Sequence, residues 1–160
     1  MVYPMTLDST NRGVTAVVGI ALVGVLSTLA FGPVPGRWGI AGLIGAILLL
    51  AFAFSPRGLE LEGDEIRVLR RFAPAAHIPL STVRGIEPGP RTTVRLLGVG
   101  GFFGTYGLCI AKGVGLFNGY STRREGRLLL TRTQGLPIVV TPDDLEGFTN
   151  EVRARLPRAA

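Results

Sequence analysis

Two long stretches without a charged residue constrain this chain more than any other feature. Residues 13–36 form the first stretch and residues 38–56 the second, and only Arg37 separates them. Neither stretch shows alternating polarity or a polar helical face, which excludes a half-exposed strand and an ordinary surface helix. About 20 apolar residues in a helix cross the hydrocarbon core of a bilayer. The sequence therefore predicts a two-helix transmembrane hairpin, with spans at about 14–31 and 38–54.

The segment between the spans predicts a tight connection. It reads GPVPGR at residues 32–37, and its two prolines and two glycines favour a turn. No ionisable residue lies inside either span, which disfavours a transporter or an ion pathway. We divide the chain into an N-terminal tail with the hairpin, residues 1–57, and one small globular domain, residues 58–160.

Basic residues flank the outer ends of the hairpin. Arg12 precedes the first span, and Arg57, Arg67, Arg70 and Arg71 follow the second. The positive-inside rule then predicts a protein integral to the inner (cytoplasmic) membrane, with both termini and the C-terminal domain in the cytoplasm. The chain has 17 Lys and Arg against 11 Asp and Glu, most of them in that domain. Two interpretations of this excess of basic residues remain open: the domain is attracted to anionic lipid headgroups, or its basic face is simply solvated.

Reactive side chains are too few for a recognisable catalytic or metal site. Cys109 is the only cysteine and His77 the only histidine, which excludes a disulfide within the chain and a Cys/His zinc site. The glycine-rich residues 98–104 lack the spacing of a nucleotide-binding loop. We therefore expect no enzyme activity and no cofactor. We also expect no nucleic-acid partner, because no basic stripe interleaves with aromatic residues.

Beyond the hairpin, short apolar segments alternate with turn residues. About seven segments have strand character: residues 59–62, 65–72, 78–86, 92–97, 116–122, 127–133 and 136–141. The C-terminal segment differs, because Leu145, Phe148, Val152 and Leu156 recur at helical spacing, with Thr141 as the expected N-cap. The pattern predicts a mainly β barrel capped by one C-terminal amphipathic helix.

This arrangement resembles the pleckstrin-homology (PH) fold, and several segments resemble the small bacterial PH-domain family. They are RLLGVGGFFGTYGL at 95–108, NGYST at 118–122, LLLTRT at 128–133 and IVVTPDD at 138–144, followed by Phe148. The resemblance covers residues 58–156. Members of that family often carry two N-terminal spans, and the family has no established catalytic residues. The resemblance thus implies a membrane-anchored, non-catalytic PH-like domain.

The first hairpin of the domain departs from PH domains that bind phosphoinositides. Those domains place Lys and Arg around this hairpin, whereas residues 60–65 read ELEGDE here and are acidic. Phosphoinositide specificity is therefore not expected. Arg70 and Arg71, on the strand that follows, remain candidates for contact with other anionic lipid.

The candidate contacts with lipid or a partner form three clusters. The members are Arg70, Arg71, Phe102, Phe103, Tyr106, Arg123 and Arg124. Each cluster also has a simpler interpretation, in which the aromatic rings fill the core and the arginines are solvated. For at least some of the rings we favour the core.

Two classes of function follow from this sequence. The first is a membrane-anchored adaptor without catalytic activity, whose PH-like domain binds a protein or peptide beside the bilayer. The expected partners of the chain are the lipid bilayer and either a partner protein or a second copy of the chain. The second is an anionic-lipid-binding sensor or organiser of the membrane surface. A small membrane enzyme or channel is disfavoured by the missing polar groups.

Overall fold

A computed structural model describes residues 1–32, 35–99 and 103–156 of the chain. The helices in these residues are α1 (Ser9–Phe31), α2 (Arg37–Phe54) and α3 (Leu145–Arg155). The strands are β1 (Val2–Pro4), β2 (Pro56–Glu62), β3 (Glu65–Arg70), β4 (Ala76–Pro79), β5 (Val83–Pro88), β6 (Val94–Val99), β7 (Thr105–Ala111), β8 (Gly115–Ser121), β9 (Leu128–Arg132) and β10 (Ile138–Val140). A short 3-10 helix, Leu80–Thr82, separates β4 from β5. The expected fold class, two long helices followed by a mainly β domain and a C-terminal helix, is confirmed.

The two predicted spans lie inside α1 and α2. α1 has 23 residues and α2 has 18, which corresponds to about 34 Å and 27 Å at 1.5 Å per residue. Both helices are long and apolar enough to cross a membrane, and only 6% of the apolar window of each is buried. A core helix of a soluble protein would be mostly buried, so this exposure indicates that the hairpin associates with a membrane.

The β domain consists of two sheets. The four-stranded sheet has the order β1-β2-β3-β4, and the six-stranded sheet has the order β5-β9-β10-β8-β7-β6. Neighbouring strands are antiparallel except β8 and β10, which are parallel. Parallel neighbours need a crossover connection, and β9 with its two loops provides it here.

Side-chain alternation along the central strands divides the apolar residues between two clusters. The main core lies between the sheets and α3, and the central strands β9 and β10 contribute Leu128, Leu130, Ile138 and Val140 to it. Leu129 and Val139 point to the other face, where they join a smaller cluster around Cys109 and Phe117. Both faces of these strands are therefore apolar, which explains their continuous hydrophobic sequence.

The C-terminal helix packs as its stripe predicts, but it begins later. Phe148 and Val152 are fully buried in the main core. The N-cap is Asp144, whose side chain accepts a hydrogen bond from the Gly147 amide at 2.8 Å. The prediction of Thr141 as the N-cap is wrong. Its hydroxyl instead accepts a hydrogen bond from the Thr122 backbone amide at 2.8 Å and so joins the ends of two strands.

Two regions of the domain differ from the expected segments. Residues 78–86 do not form one strand, because the 3-10 helix sends β4 and β5 to different sheets. The sequence does not predict β7, because Gly107 interrupts its alternating pattern. Gly98 and Gly107 pair across β6 and β7, and a Cβ on either would collide with the carbonyl of the opposite strand. Gly98 and Gly107 therefore allow β6 and β7 to approach closely, whereas residues 100–102 of the glycine-rich run lie outside the described residues.

The residues before the hairpin belong to the β domain. β1 pairs antiparallel with β2, with Tyr3 opposite Leu59. Tyr3 and Met5 are each only 5% exposed and lie in the main core. The ring of Tyr3 meets that of Phe148 edge to face, at 5.3 Å between centroids. The chain thus begins in the domain, leaves it through the hairpin and returns, so the expected boundary after residue 57 separates residues that fold together.

Candidate interaction surfaces at the membrane junction

The C-terminal end of α2 is capped by the β domain. The last carbonyl groups of a helix lack partners within the helix, and burying them unsatisfied is costly. Here the Tyr106 hydroxyl donates to the Ala51 carbonyl. The amides of Phe72 and Ala73 both donate to the Ala53 carbonyl at 3.1 Å. Three hydrogen bonds from two different strand ends therefore fasten α2 to the domain.

The start of α1 is fastened in the same way. Asp8 is its N-cap, and one carboxylate oxygen accepts from the Asn11 amide at 2.7 Å. The other oxygen accepts from the Arg124 amide at 3.0 Å. The Asn11 side chain donates to the Thr122 carbonyl at 2.7 Å in a buried contact. Asp8 thus joins the helix start to the end of β8 and the loop that follows it.

Arg70 and Arg71 lie against aromatic rings at this junction. The Arg70 guanidinium is 5.3 Å from the ring of Phe54 and 5.8 Å from that of Tyr120. The Arg71 guanidinium is 5.0 Å from the ring of Phe52, and its Nε donates to the Ser55 hydroxyl at 3.1 Å. Cation–π contacts of this length are attractive. The two arginines therefore connect the end of β3 to the end of α2.

The glycine-aromatic segment also reaches the hairpin. The ring of Phe103 is 4.8 Å from that of Phe52, and its backbone has a left-handed φ of 57°. The Phe103 amide donates to the Thr15 hydroxyl at 3.2 Å, which brings α1 into the same contact. Tyr106 is buried, and this burial raises its pKa to about 12, so its hydroxyl stays a donor. Phe102 lies outside the described residues.

A strongly basic cleft lies beside the start of α1. Its volume is about 550 Å³, and Asn11 and Val14 of α1 contribute to its lining. Five arginines line it as well, which are Arg91, Arg95, Arg123, Arg124 and Arg127. No carboxylate from the described part of the chain lines this cleft. A larger cleft of about 820 Å³ adjoins it, shares three of the arginines and includes Glu125.

Two of the cleft arginines are partly held by protein groups. Arg123 pairs with Asp143 at 2.9 Å, and Nη1 of Arg127 donates to the Pro90 carbonyl at 3.1 Å. The Nε atoms of both arginines are buried and have no hydrogen-bond partner within residues 1–32, 35–99 and 103–156. Burial lowers the pKa of Arg127 and is the largest cause of its shift; the charge of Arg124 lowers it further, whereas Cys109 and the Asp8 carboxylate act in the opposite direction. The cleft thus concentrates positive charge and leaves buried donors unused.

The outer edge of the six-stranded sheet is apolar and exposed. β6 ends the strand order of that sheet. Val94, Ile110 and Leu116 lie in register across β6, β7 and β8, and all three are exposed. Leu97, on the same face, is 74% exposed. This row lies four residues along β7 from Tyr106, or about 13 Å from the contact with α2.

His77 forms a surface hydrogen bond, and Cys109 is buried in the smaller apolar cluster. The His77 Nδ1 lies 3.0 Å from a Glu65 carboxylate oxygen at the surface, and this hydrogen bond, with that from Arg67, lowers the pKa of Glu65. Cys109 is 1% exposed, and burial raises the pKa of its thiol. No group of three His, Cys, Asp or Glu able to hold a metal ion occurs among the described residues.

The structure groups most of the candidate residues into two sets. Arg70, Arg71, Phe103 and Tyr106 surround the end of α2, and Arg123 and Arg124 lie beside the start of α1. Sequence reasoning missed the three other cleft arginines, which are Arg91, Arg95 and Arg127. Each is an isolated arginine in a different segment, and only strand pairing brings them together.

The fold and its junction define a small β domain joined to two helices that are long and apolar enough to cross a membrane. A family model for the bacterial PH domain matches residues 57–156. That match covers more than half of the 160-residue chain, so this protein belongs to the bacterial PH domain family. The resemblance seen in the sequence is thereby confirmed. Searches of curated proteins and of solved structures found no match.

Proposed function

We propose that this protein is a non-catalytic adaptor of the cytoplasmic membrane, whose PH domain binds an extended segment of a partner protein along β6. The observation that carries the proposal is the apolar, exposed edge of the six-stranded sheet. Exposed sheet edges offer a row of unpaired backbone groups, and folded proteins usually shield them with charges, prolines or a covering element. β6 carries one charge, Arg95, on the opposite face to Val94, and it presents Val94, Leu96 and Leu97 to solvent.

An added strand is the occupant that suits this edge. A strand paired with β6 would form backbone hydrogen bonds, and its alternate side chains would cover the row formed by Val94, Ile110 and Leu116. The same row supports specificity for apolar side chains at every second position of the partner segment.

The junction supports an adaptor role as well. Because hydrogen bonds join the start of α1 and the end of α2 to the domain, the domain is held at one orientation to the hairpin. A partner bound along β6 would therefore be kept at a defined position beside the bilayer, because no flexible linker separates the domain from the hairpin.

The proposal is tested by photo-crosslinking at position 97 in the full-length chain in native membranes. We expect an adduct with one partner protein, identified by mass spectrometry. Burying a Val side chain stabilises a complex by about 1.5–3 kcal/mol, so Val94→Asp should lower the affinity for the partner by about 10-fold or more. The yield of the crosslinked adduct should fall accordingly. Leu136→Asp is the control, because Leu136 is an exposed apolar residue outside β6, although it is 36% exposed against 60% for Val94. An adduct only with a second copy of the chain, or only with lipid, would contradict the adaptor role.

We expect both termini and the PH domain to face the cytoplasm, as the flanking arginines predict. Pro35→Cys lies in the connection between the helices and Gln134→Cys in an exposed loop of the domain. An impermeant thiol reagent should label the first in intact cells and the second only after permeabilisation. The native Cys109 is buried and should add little background. Labelling in the reverse order would place the domain on the other side.

A further inference from the structure

We propose that the cleft lined by the five arginines binds the phosphate group of an anionic phospholipid headgroup. This site is separate from the protein-binding edge. Arg95 is opposite Cys109, and so faces the side of the sheet that carries the smaller cluster, whereas Val94 and Leu97 face the other side. It is also separate from the acidic first hairpin of the domain.

The positive charge of the cleft favours the binding of an anion. Of the five arginines, only Arg123 has a carboxylate partner within the described residues, namely Asp143. Like charges held close together repel one another, and a cleft with low-dielectric walls strengthens their common field. An anion bound among them would relieve that repulsion.

The donors of the cleft suit a phosphate in particular. The planar guanidinium group matches the oxygen atoms of phosphate and binds them through paired hydrogen bonds. Arg91, Arg95 and Arg124 are exposed and line the cleft, so their guanidinium donors are accessible to a ligand. The hydroxyl groups of Thr92, Thr93 and Thr105 line the same cleft and add further donors.

The position of the cleft points to a lipid as the source of the phosphate. α1 is about 34 Å long, whereas the hydrocarbon core is about 30 Å thick and is flanked by headgroup layers. The difference is about 4 Å, so the first turn of α1, which includes Asn11, emerges at the level of the headgroups, and Val14 lies near the boundary of the hydrocarbon core. Both residues contribute to the lining of the cleft, and a volume of about 550 Å³ accommodates a headgroup.

The test uses the full-length chain in phosphatidylcholine nanodiscs titrated with spin-labelled phosphatidylglycerol, with the immobilised lipid fraction measured by electron paramagnetic resonance. In about 0.5 M NaCl the Debye length falls to roughly 4 Å, so diffuse attraction is screened. The variant Arg91→Gln/Arg124→Gln should then bind the labelled lipid at least about 10-fold more weakly. Arg91→Lys/Arg124→Lys, which keeps the charge but loses the fork geometry, should show an intermediate loss.

The matched control is Arg12→Gln/Arg57→Gln, which removes the same charge from exposed arginines at the membrane ends of α1 and β2. It should stay within about 2-fold of the native chain under screening salt. Equal losses in both double variants, or no loss in either, would overturn the site. Displacement of the lipid by about 10 mM inorganic phosphate would overturn the lipid assignment and identify a site for free phosphate. A melting temperature in pure phosphatidylcholine that matches the native chain shows that each variant is folded.

Discussion

We expect Phe148→Ala to lower the free energy of unfolding of the PH domain by about 3–5 kcal/mol. Phe148 is fully buried and is among the largest such side chains of the domain. Its ring contacts Tyr3 from the N-terminal strand, so its loss opens a cavity between α3 and the four-stranded sheet. Domains of this size have about 5–15 kcal/mol in total, so the melting temperature should fall markedly. Thermal unfolding of the full-length chain in nanodiscs measures the change.

The control for this variant is Asn150→Ala, on the exposed face of α3. Its effect should stay within about 0.5 kcal/mol, as for most surface substitutions. Glu151 is a poorer control, because its carboxylate accepts from Arg155 at 3.0 Å and Arg155 in turn donates to the Gly63 carbonyl. Equal, small shifts for Phe148→Ala and Asn150→Ala would contradict the packing of α3 on the core.

Deletion of residues 1–5 should be more damaging still, with a loss of more than about 5 kcal/mol. The deletion removes two buried side chains, Tyr3 and Met5, and leaves β2 as an unprotected edge. It also removes backbone hydrogen bonds such as that from the Leu61 amide to the Met1 carbonyl at 2.8 Å. Hydrogen exchange along β2 and the melting temperature both report this loss.

Val2→Ala is the control on the same strand, because Val2 points outward and is 56% exposed. It should change stability by less than about 0.5 kcal/mol. If the deletion variant melted like the native chain, the N-terminal strand would not belong to the domain. For the same reason, a fragment that starts at residue 58 lacks part of the core.

The junction ties the fold to the proposed function. A membrane anchor usually needs only to hold a domain near the bilayer, and a flexible linker suffices for that purpose. Here the Tyr106 hydroxyl donates to the end of α2, and the Arg124 amide donates to Asp8 at the start of α1. Arg70 and Arg71 pack on rings of α2. Orientation of the domain is therefore built into the fold. The exposed β6 edge and the arginine cleft consequently keep constant positions relative to the hairpin.

The candidate residues show what charge and composition can predict about a site. Arg70 and Arg71 were candidates because basic residues beside a span attract anionic lipid. In the structure their guanidinium groups lie on Phe52, Phe54 and Tyr120, which were not recognisable as partners from the sequence. Arg124, in contrast, lies in the cleft that we assign to a phosphate.

The sequence by itself determined the hairpin and the C-terminal helix of this protein. Both depend on local patterns. The hairpin follows from uncharged runs of membrane length. The helix follows from an apolar stripe at helical spacing, of which Phe148 and Val152 lie in the main core. Family membership also follows from motifs that are contiguous in the chain.

Four features could be identified only from the tertiary structure. They are the N-terminal strand, β7, the exposed edge of the six-stranded sheet and the arginine cleft. Val2–Pro4 is too short to show alternation and becomes a strand only because β2 pairs with it from more than fifty residues away. The cleft arginines come from separate segments between Arg91 and Arg127, and none of these segments is basic enough to indicate a site. Strand pairing and burial act between residues far apart in sequence, whereas periodicity and composition report only on neighbours, so contacts of this kind cannot be read from the chain alone.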